Sequence, residues 1–125
     1  MTFNQFEEAL KNTDEIRITV TGRKSGGKIS RPVWFVYEGE ELYLLPVKGS
    51  DSDWYKNILK TPTMRLNAAG KEWSAQVKPI TDKVKVRDIV QKFREKYGPD
   101  QVKKYYSKFD VAVDVPCSGT QRRSA

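Results

Sequence analysis

The stretch GRKSGGKIS, from Gly22 to Ser30, decides between two classes of fold. Its glycines and its second lysine fit the frame of a phosphate-binding P-loop, G-x-x-x-x-G-K-[ST], but Ile29 stands where that motif requires Ser or Thr. A P-loop also leads into a helix, whereas Pro32 and the β-branched and aromatic residues 33–37 predict a strand. The sequence therefore predicts a glycine-rich connection between two strands, not a nucleotide-binding α/β unit.

The residues of this connection are compatible with two roles. Gly, Ser and Lys commonly build solvated turns, which favours a plain hairpin. Four cations nonetheless lie in or beside it, namely Arg23, Lys24, Lys28 and Arg31. Backbone N–H groups together with Lys24 or Arg31 would form an anion site that holds a phosphate. The stretch by itself leaves both roles open.

Alternation of apolar and polar residues predicts the strands, and apolar residues spaced three and four apart predict the helices. The predicted strands cover residues 15–21, 30–37, 41–47, 63–68, 71–80 and 109–115. The predicted helices cover residues 3–12, 53–59, 82–97 with Thr81 as cap, and 99–108. Short connections between the first three strands indicate antiparallel pairing. The prediction is a mainly β, α+β fold: a six-stranded antiparallel barrel with three or four outer helices.

Composition narrows the chemistry. The chain has 125 residues, a net charge of +7 and no histidine. Without histidine, Ser-His-Asp triads and histidine-ligated zinc or haem are excluded, and no metal site is expected. The positive charge favours an anionic partner, either nucleic acid, a phosphorylated cofactor or a membrane surface. The length predicts one domain over residues 1–125, with a frayed tail over residues 116–125.

Cellular location follows from what the sequence lacks. Cys117 is the single cysteine, so no intrachain disulfide can form, and its thiol is expected to be inert. The first residues are polar and acidic, unlike a signal peptide, and no apolar run is long enough to span a membrane. The expected location is the cytoplasm.

A second glycine-containing break follows the third predicted strand. It reads VKGSDSDWYKN, from Val47 to Asn57, and leads into a short helix. If the second and third strands pair through the turn at residues 38–40, Lys28, Arg31 and Lys48 lie near one another. The positive end of the short helix would add to this basic region. The alternative role for the aromatic pair Trp-Tyr in this stretch is core packing.

Together these motifs resemble the split β-barrel flavin and deazaflavin oxidoreductases, which have a pyridoxamine-phosphate-oxidase-like fold. The resemblance rests on TGRKSG at Thr21–Gly26, then Pro32, then VKGS and WYKN within Val47–Asn57, then Pro62. The closest group is the deazaflavin-dependent nitroreductases and quinone reductases. The later FREKYG, at Phe93–Gly98, is similar to an uncharacterised branch of the same superfamily. The resemblance implies a six-stranded split barrel with outer helices.

The resemblance also implies a set of site residues. The implied cofactor-binding residues are Lys24, Ser25, Lys28, Arg31, Lys48, Gly49, Trp54, Tyr55 and Asn57. Tyr105 and Tyr106 are the implied substrate-pocket tyrosines, placed in the catalytic role. The chain departs from the family pattern at Ile29, which stands where the family often has a second basic residue. Either Lys28 or Arg31 would compensate for the missing charge, but not both, because strand alternation puts them on opposite faces. Ser50 likewise replaces the second glycine of a Gly-Gly pair.

The implied activity is hydride transfer from a reduced cofactor to a quinone-like or nitroaromatic acceptor. The deazaflavin coenzyme F(420) is the first choice of cofactor, and flavin mononucleotide (FMN) is the second. One alternative is a cofactor-binding module without turnover, a sensor or storage protein. The other is a basic barrel on which Trp34, Phe35, Tyr37 and Tyr43 stack nucleic-acid bases. A homodimer is also expected by the resemblance.

Overall fold

The protein, here a computed structural model, is described for residues 3–117. Its α-helices in this range are α1 (Phe3–Lys11), α2 (Asp53–Lys60), α3 (Lys83–Tyr97) and α4 (Pro99–Tyr105). Its strands are β1 (Ile16–Thr21), β2 (Lys28–Val33), β3 (Val36–Glu38), β4 (Glu41–Leu44), β5 (Thr63–Ala68), β6 (Lys71–Gln76), β7 (Lys78–Ile80) and β8 (Ala112–Pro116). A 3-10 turn, Gly49–Asp51, precedes α2.

The strands form two four-stranded sheets in which every pair is antiparallel. The first sheet has the order β2-β1-β5-β6, and the second has the order β3-β4-β8-β7. The loop of residues 22–27 joins β1 to β2, which pair from Thr21 opposite Lys28 to Ile16 opposite Val33. The prediction of a strand hairpin instead of a P-loop is therefore confirmed.

The predicted count of six strands is wrong, because two of the predicted strands are each broken into two. Residues 28–38 belong to the first sheet as β2 and to the second sheet as β3, with a break at Trp34–Phe35. Residues 71–80 likewise divide into β6 and β7 at Val77. Residues 33–37 are a continuous β-branched and aromatic run, and alternation through Trp73, Ala75 and Val77 continues past the second break, so neither pattern shows where the strand ends. Within residues 3–117 the two sheets do not close into one hydrogen-bonded ring.

The break also changes which strands are neighbours. Only β3 pairs with β4, and β2 pairs with β1 instead. The expectation that Lys28 lies beside Lys48 is therefore wrong. Lys28 lies on the outer face of β2, where its Nζ donates to the Thr21 hydroxyl over 3.1 Å.

Two apolar clusters lie on opposite faces of the second sheet. Consecutive residues of β4 alternate between them, with Leu42 in the first cluster and Tyr43 in the second. The first cluster fills the space between the sheets and receives α1 and α2. The second lies under α3 and α4. Burial on both faces explains why β4 and β8 are apolar almost throughout, while β1 of the first sheet alternates.

The helix boundaries follow local chemistry. Asp82, one residue after the predicted cap, begins α3 by accepting a hydrogen bond from the Lys85 N–H over 2.9 Å. Gly98, with a φ of 98°, ends α3, so the helix stops at Tyr97, the predicted last residue. No helix within residues 3–117 has the length and apolarity needed to cross a membrane.

The chain continues as ordered structure beyond the predicted start of the tail. β8 runs to Pro116, and Cys117 is fully buried in the first cluster. Burial raises the pKa of the Cys117 thiol to about 12, so the group stays protonated at neutral pH. The rest of the predicted tail, residues 118–125, lies outside the described residues.

A pair of carboxyl groups on the second sheet makes stability depend on pH. Burial, followed by the neighbouring Glu41 carboxyl, raises the pKa of Asp114 from 3.8 to about 7. One Asp114 oxygen, Oδ1, is buried without a hydrogen-bond partner among residues 3–117. The folded state therefore keeps a proton that the unfolded chain releases at lower pH.

The sign of the effect follows from this raised pKa. Between pH 3.8 and about 7 the folded state binds the proton more strongly, so stability falls as pH rises through this window. We expect the unfolding free energy to drop by roughly 1–2 kcal/mol between pH 5 and 8, and the Asp114→Asn variant to lose this drop. Urea unfolding at both pH values measures it, with exposed Asp88→Asn as control. An equal drop in Asp114→Asn would contradict the assignment.

Candidate functional site

Two adjoining cavities open near the loop of residues 22–27. The first, here called the basic cavity, has a volume of about 200 Å³. It is lined by Gly22, Arg23, Lys24, Ser25, Ile29, Arg31, Asp53, Trp54 and Asn57. The second, here called the aromatic cavity, has a volume of about 300 Å³, and its walls include Trp34, Val47, Lys48, Tyr105 and Tyr106. Arg31, Asp53 and Trp54 line both cavities, so the two adjoin, and together they are here called the groove.

The loop of residues 22–27 is a closed turn. The Gly22 N–H donates to the Gly27 carbonyl over 2.7 Å, and the Gly26 N–H donates to the Gly22 carbonyl over 2.9 Å. The Ser25 hydroxyl accepts from the Gly27 N–H over 3.1 Å. Because these donors are used within the loop, they are not available to an anion. Lys24 and Ser25 carry the remaining backbone donors at the tip.

Arg23 fastens this loop to α2. Its backbone N–H donates to Oδ1 of Asn57 over 3.1 Å, and its guanidinium donates to the same oxygen over 2.8 Å. The guanidinium also lies 3.5 Å from the Asp53 carboxylate, and Lys60 donates to the Arg23 carbonyl over 3.1 Å. Asn57 is buried, 3% exposed. The loop is thus held by one buried amide oxygen and a set of exposed contacts.

A second set of hydrogen bonds fixes the backbone that carries Lys48. The Ser52 hydroxyl accepts from the Lys48 N–H over 2.8 Å instead of capping α2. The Ser107 N–H donates to the Val47 carbonyl over 2.8 Å. Asp110 accepts from both the N–H and the hydroxyl of Ser50. The turn before α2 and the segment after α4 are therefore tied together at the rim of the aromatic cavity.

Two of three stacked rings, those of Trp34 and Tyr105, line the aromatic cavity, and the third, that of Tyr97, lies behind Trp34. Trp34 lies between Tyr97, at 4.3 Å and 8° from parallel, and Tyr105, at 4.6 Å. Tyr105 is the outermost ring and is 42% exposed. Tyr106 meets Trp34 edge-on and is buried, and this burial raises the pKa of its phenol well above its usual range. The Tyr106 phenol is therefore protonated at neutral pH.

The cations of the groove differ in their partners. Lys24, Arg31 and Lys48 are exposed and form no ion pair within residues 3–117. Arg31 donates to the carbonyl of its own neighbour Ser30. Arg23, by contrast, is engaged with Asp53 and Asn57. The groove thus presents three uncompensated positive side chains along its length, which favours an anionic ligand.

The predicted site residues are distributed unevenly over the groove. Lys24, Ser25, Arg31 and Asn57 line the basic cavity, Lys48, Tyr105 and Tyr106 line the aromatic cavity, and Trp54 and Arg31 line both. Lys28, Gly49 and Tyr55 line neither. Lys28 points away from the groove on the outer face of β2, Gly49 packs against Asp110, and Tyr55 is 3% exposed in the first cluster.

Sequence reasoning missed Arg23, Trp34 and Asp53 as groove residues. The sequence presents Arg23 only as one of four cations, because its contact with Asn57 spans 34 positions of sequence. The sequence indicates Trp34 only as a base-stacking residue. Its position in the wall depends on the strand break at its own position, which alternation does not reveal.

Residues 8–113 match the sequence profile of DUF2255, a family described as uncharacterized proteins conserved in bacteria. The chain belongs to this family. A comparison with curated protein sequences found no match.

Solved structures of similar fold carry several functions. An F(420)-H2 dependent reductase is 21% identical with a TM-score of 0.64, over 82% of this chain and 93% of its own. A 5-nitroimidazole antibiotic resistance protein from Bacteroides thetaiotaomicron is 17% identical with a TM-score of 0.68, over 90% and 78%. The heme storage protein HutZ from Vibrio cholerae is 12% identical with a TM-score of 0.67, over 92% and 89%. The chain therefore shares the fold of the flavin and deazaflavin oxidoreductase superfamily.

Proposed function

We propose that this protein binds an anionic flavin-type cofactor across the two cavities of the groove and reduces a quinone-like or nitroaromatic acceptor. The observation that carries the proposal is the junction of the two cavities. Cations without an ion-pair partner within residues 3–117 line the groove, and the rings of Trp34 and Tyr105 lie in its aromatic cavity. A molecule with a phosphate at one end and a planar ring at the other fits this division. The deazaflavin coenzyme F(420) is our first choice and FMN our second.

The residues present fit the charged part of such a cofactor. Lys24 and Arg31 would bind the phosphate with charge-assisted hydrogen bonds, and the Ser25 N–H lies at the tip beside them. Arg23 and Asn57 would hold the loop in place instead of binding the cofactor, because they are already hydrogen-bonded to each other. Asn57 is thus a positioning residue in this proposal instead of a cofactor contact.

The aromatic cavity would receive the ring and the acceptor. Hydride chemistry is supplied by the cofactor when it is bound, which suits a chain without histidine. Lys48 would stabilise negative charge at the ring edge, and Trp54 would separate ring from phosphate. Tyr105 would bound the acceptor. The protonated Tyr106 would shield the cavity from water.

Lys24→Ala tests the phosphate assignment. We expect the dissociation constant of the cofactor to rise at least roughly tenfold, because one charge-assisted hydrogen bond of about 1.5–3 kcal/mol is lost. Thermal stability should stay the same, because Lys24 makes no ion pair within residues 3–117. Lys28→Ala is the matched control, since it removes the same charge from the outer face of β2. Equal weakening in both variants would show a general charge effect and reject the assignment.

Turnover separates an enzyme from a binding module. We expect the reduced cofactor to be oxidised by menadione or a nitroaromatic compound only when the protein is present, as followed by absorbance. Of the two tyrosines, Tyr106 is buried, and Tyr105 alone is an exposed proton donor. This shortage of exposed donors favours a sensor or storage role as the second candidate. Cofactor binding without any turnover across quinones and nitroaromatics would establish that second role.

Base stacking on the predicted aromatic residues is not favoured by the packing. Phe35 and Tyr43 are buried, Trp34 is covered by tyrosines on both faces, and the Tyr37 hydroxyl binds Glu7.

We also propose that the protein forms the homodimer implied by the resemblance and that it is located in the cytoplasm. Sedimentation velocity of the purified chain measures the oligomeric state directly.

A further inference from the structure

The motif FREKYG, Phe93 to Gly98, lines neither cavity and has no part in the proposed cofactor contacts. It forms the last turn of α3, next to the strand break at Trp34–Phe35. We propose that Lys96 and Tyr97 of this motif form a clamp that fixes the break and so sets the position of the Trp34 ring in the aromatic cavity. The effect on ligand binding rests on the proposed function, whereas the clamp itself does not.

The clamp satisfies the backbone groups that the break leaves without sheet partners. The Phe35 N–H donates to the Tyr97 hydroxyl over 3.1 Å, and the Lys96 ammonium donates to the Phe35 carbonyl over 2.8 Å. The Tyr97 hydroxyl lies 2.7 Å from the carbonyl of Asp14 and 2.9 Å from that of Phe35. Because the Lys96 ammonium already donates to the Phe35 carbonyl, the Tyr97 hydroxyl can donate its proton to the Asp14 carbonyl. Two adjacent side chains thus replace the two hydrogen bonds of an interrupted strand.

The same two residues also hold the side chains of the break. The Lys96 ammonium lies 3.6 Å from the centre of the Phe35 ring. Burial lowers the pKa of Lys96 to about 8. The Tyr97 ring stacks on the inner face of Trp34, and Tyr105 covers the outer face. Phe35 is therefore held both through its backbone and by its ring, and Trp34 is held by its ring.

Trp34 connects the clamp with the groove. It lines the aromatic cavity together with Tyr105, while Lys96 and Tyr97 lie behind it. Loss of the clamp would let the Trp34–Tyr105 stack shift into or away from the cavity. Residues that touch no ligand would in this way determine the shape of the cavity that a planar molecule enters. The clamp is a positioning device, not a catalytic one.

Tyr97→Phe and Lys96→Met test the clamp in the full chain. Tyr97→Phe keeps the stack but removes the hydroxyl, so amide hydrogen exchange at Phe35 should accelerate at least roughly tenfold, the equivalent of one lost hydrogen bond of about 1.4 kcal/mol. Lys96→Met keeps much of the packing but removes the ammonium group, and the indole N–H resonance of Trp34 should shift. Lys103→Met, on the exposed side of α4, is the matched control and should change neither signal.

The ligand arm uses F(420), FMN and menadione as probes. We expect Tyr97→Phe to raise the KM for menadione severalfold while the dissociation constant of the cofactor changes less, because the basic cavity is untouched. If the wild-type protein binds neither cofactor, the proposed function fails, but exchange at Phe35 still decides the clamp. Unchanged Phe35 exchange and an unchanged Trp34 resonance in both variants overturn the clamp, whatever the cofactor does. Equal changes in Lys103→Met overturn it as well.

Discussion

Replacing Gly49 by alanine is expected to lower the unfolding free energy by about 2–4 kcal/mol, from backbone strain and lost hydrogen bonds. Gly49 has a φ of 56°, and a Cβ there would lie 2.1 Å from Asp110 Oδ1 and 3.0 Å from the Lys108 side chain. To relieve this clash Asp110 must move, which breaks its two hydrogen bonds to Ser50. Chemical denaturation measures the loss.

Gly39→Ala is the matched control for this prediction. Gly39 has a φ of 59°, but a Cβ there meets nothing within 4 Å. This variant therefore carries the strain alone, about 1–2 kcal/mol. A loss in Gly49→Ala no larger than that in Gly39→Ala would show that the contact with Asp110 does not matter. We also expect Gly49→Ala to weaken cofactor binding, because the hydrogen bonds between Asp110 and Ser50 hold the backbone next to Lys48.

The second large effect is expected at Asn57. Asn57→Ala leaves the Arg23 N–H and guanidinium without their common acceptor, at a cost of about 1–3 kcal/mol in stability. The loop of residues 22–27 then loses its buried attachment to α2. We expect the dissociation constant of the cofactor to rise more than roughly tenfold, since the loop must be ordered again on binding. Calorimetric titration and urea unfolding measure the two effects.

Asn57→Asp distinguishes positioning from direct contact. A carboxylate keeps the acceptor for Arg23, so a positioning role predicts affinity near that of the wild type. If the Asn57 amide instead donated to the cofactor phosphate, the aspartate would repel the phosphate. The Asn57→Asp variant would then bind the cofactor more weakly than the Asn57→Ala variant. The order of the two dissociation constants therefore decides the role of Asn57.

Much of the fold could be predicted from local sequence. The strand that follows the loop of residues 22–27, the helix stop at Gly98 and the antiparallel pairing all depend on neighbouring residues, which the sequence displays. The corners at Trp34–Phe35 and at Val77 could not be predicted. They depend on contacts from α3 and from Pro62, which are distant in sequence.

In the groove, too, the features that depend on neighbouring residues could be predicted and those that depend on distant contacts could not. Lys24 and Arg31 could be proposed from the charge around one loop, and the resemblance added Lys48, Trp54 and Asn57. The partner of Asn57 could not be proposed, because the hydrogen bond to Arg23 requires the relative position of the loop and α2. Lys28 and Tyr55 resembled site residues in sequence but lie outside both cavities, because strand alternation and core packing direct them elsewhere.

The most direct test of the central claim is a fluorescence titration of the purified protein with F(420) and, separately, with FMN at physiological salt. We expect saturable binding of one of them, weakened by Lys24→Ala and not by Lys28→Ala. Absence of binding to both would contradict the account and leave the GRKSGGKIS stretch as a basic turn.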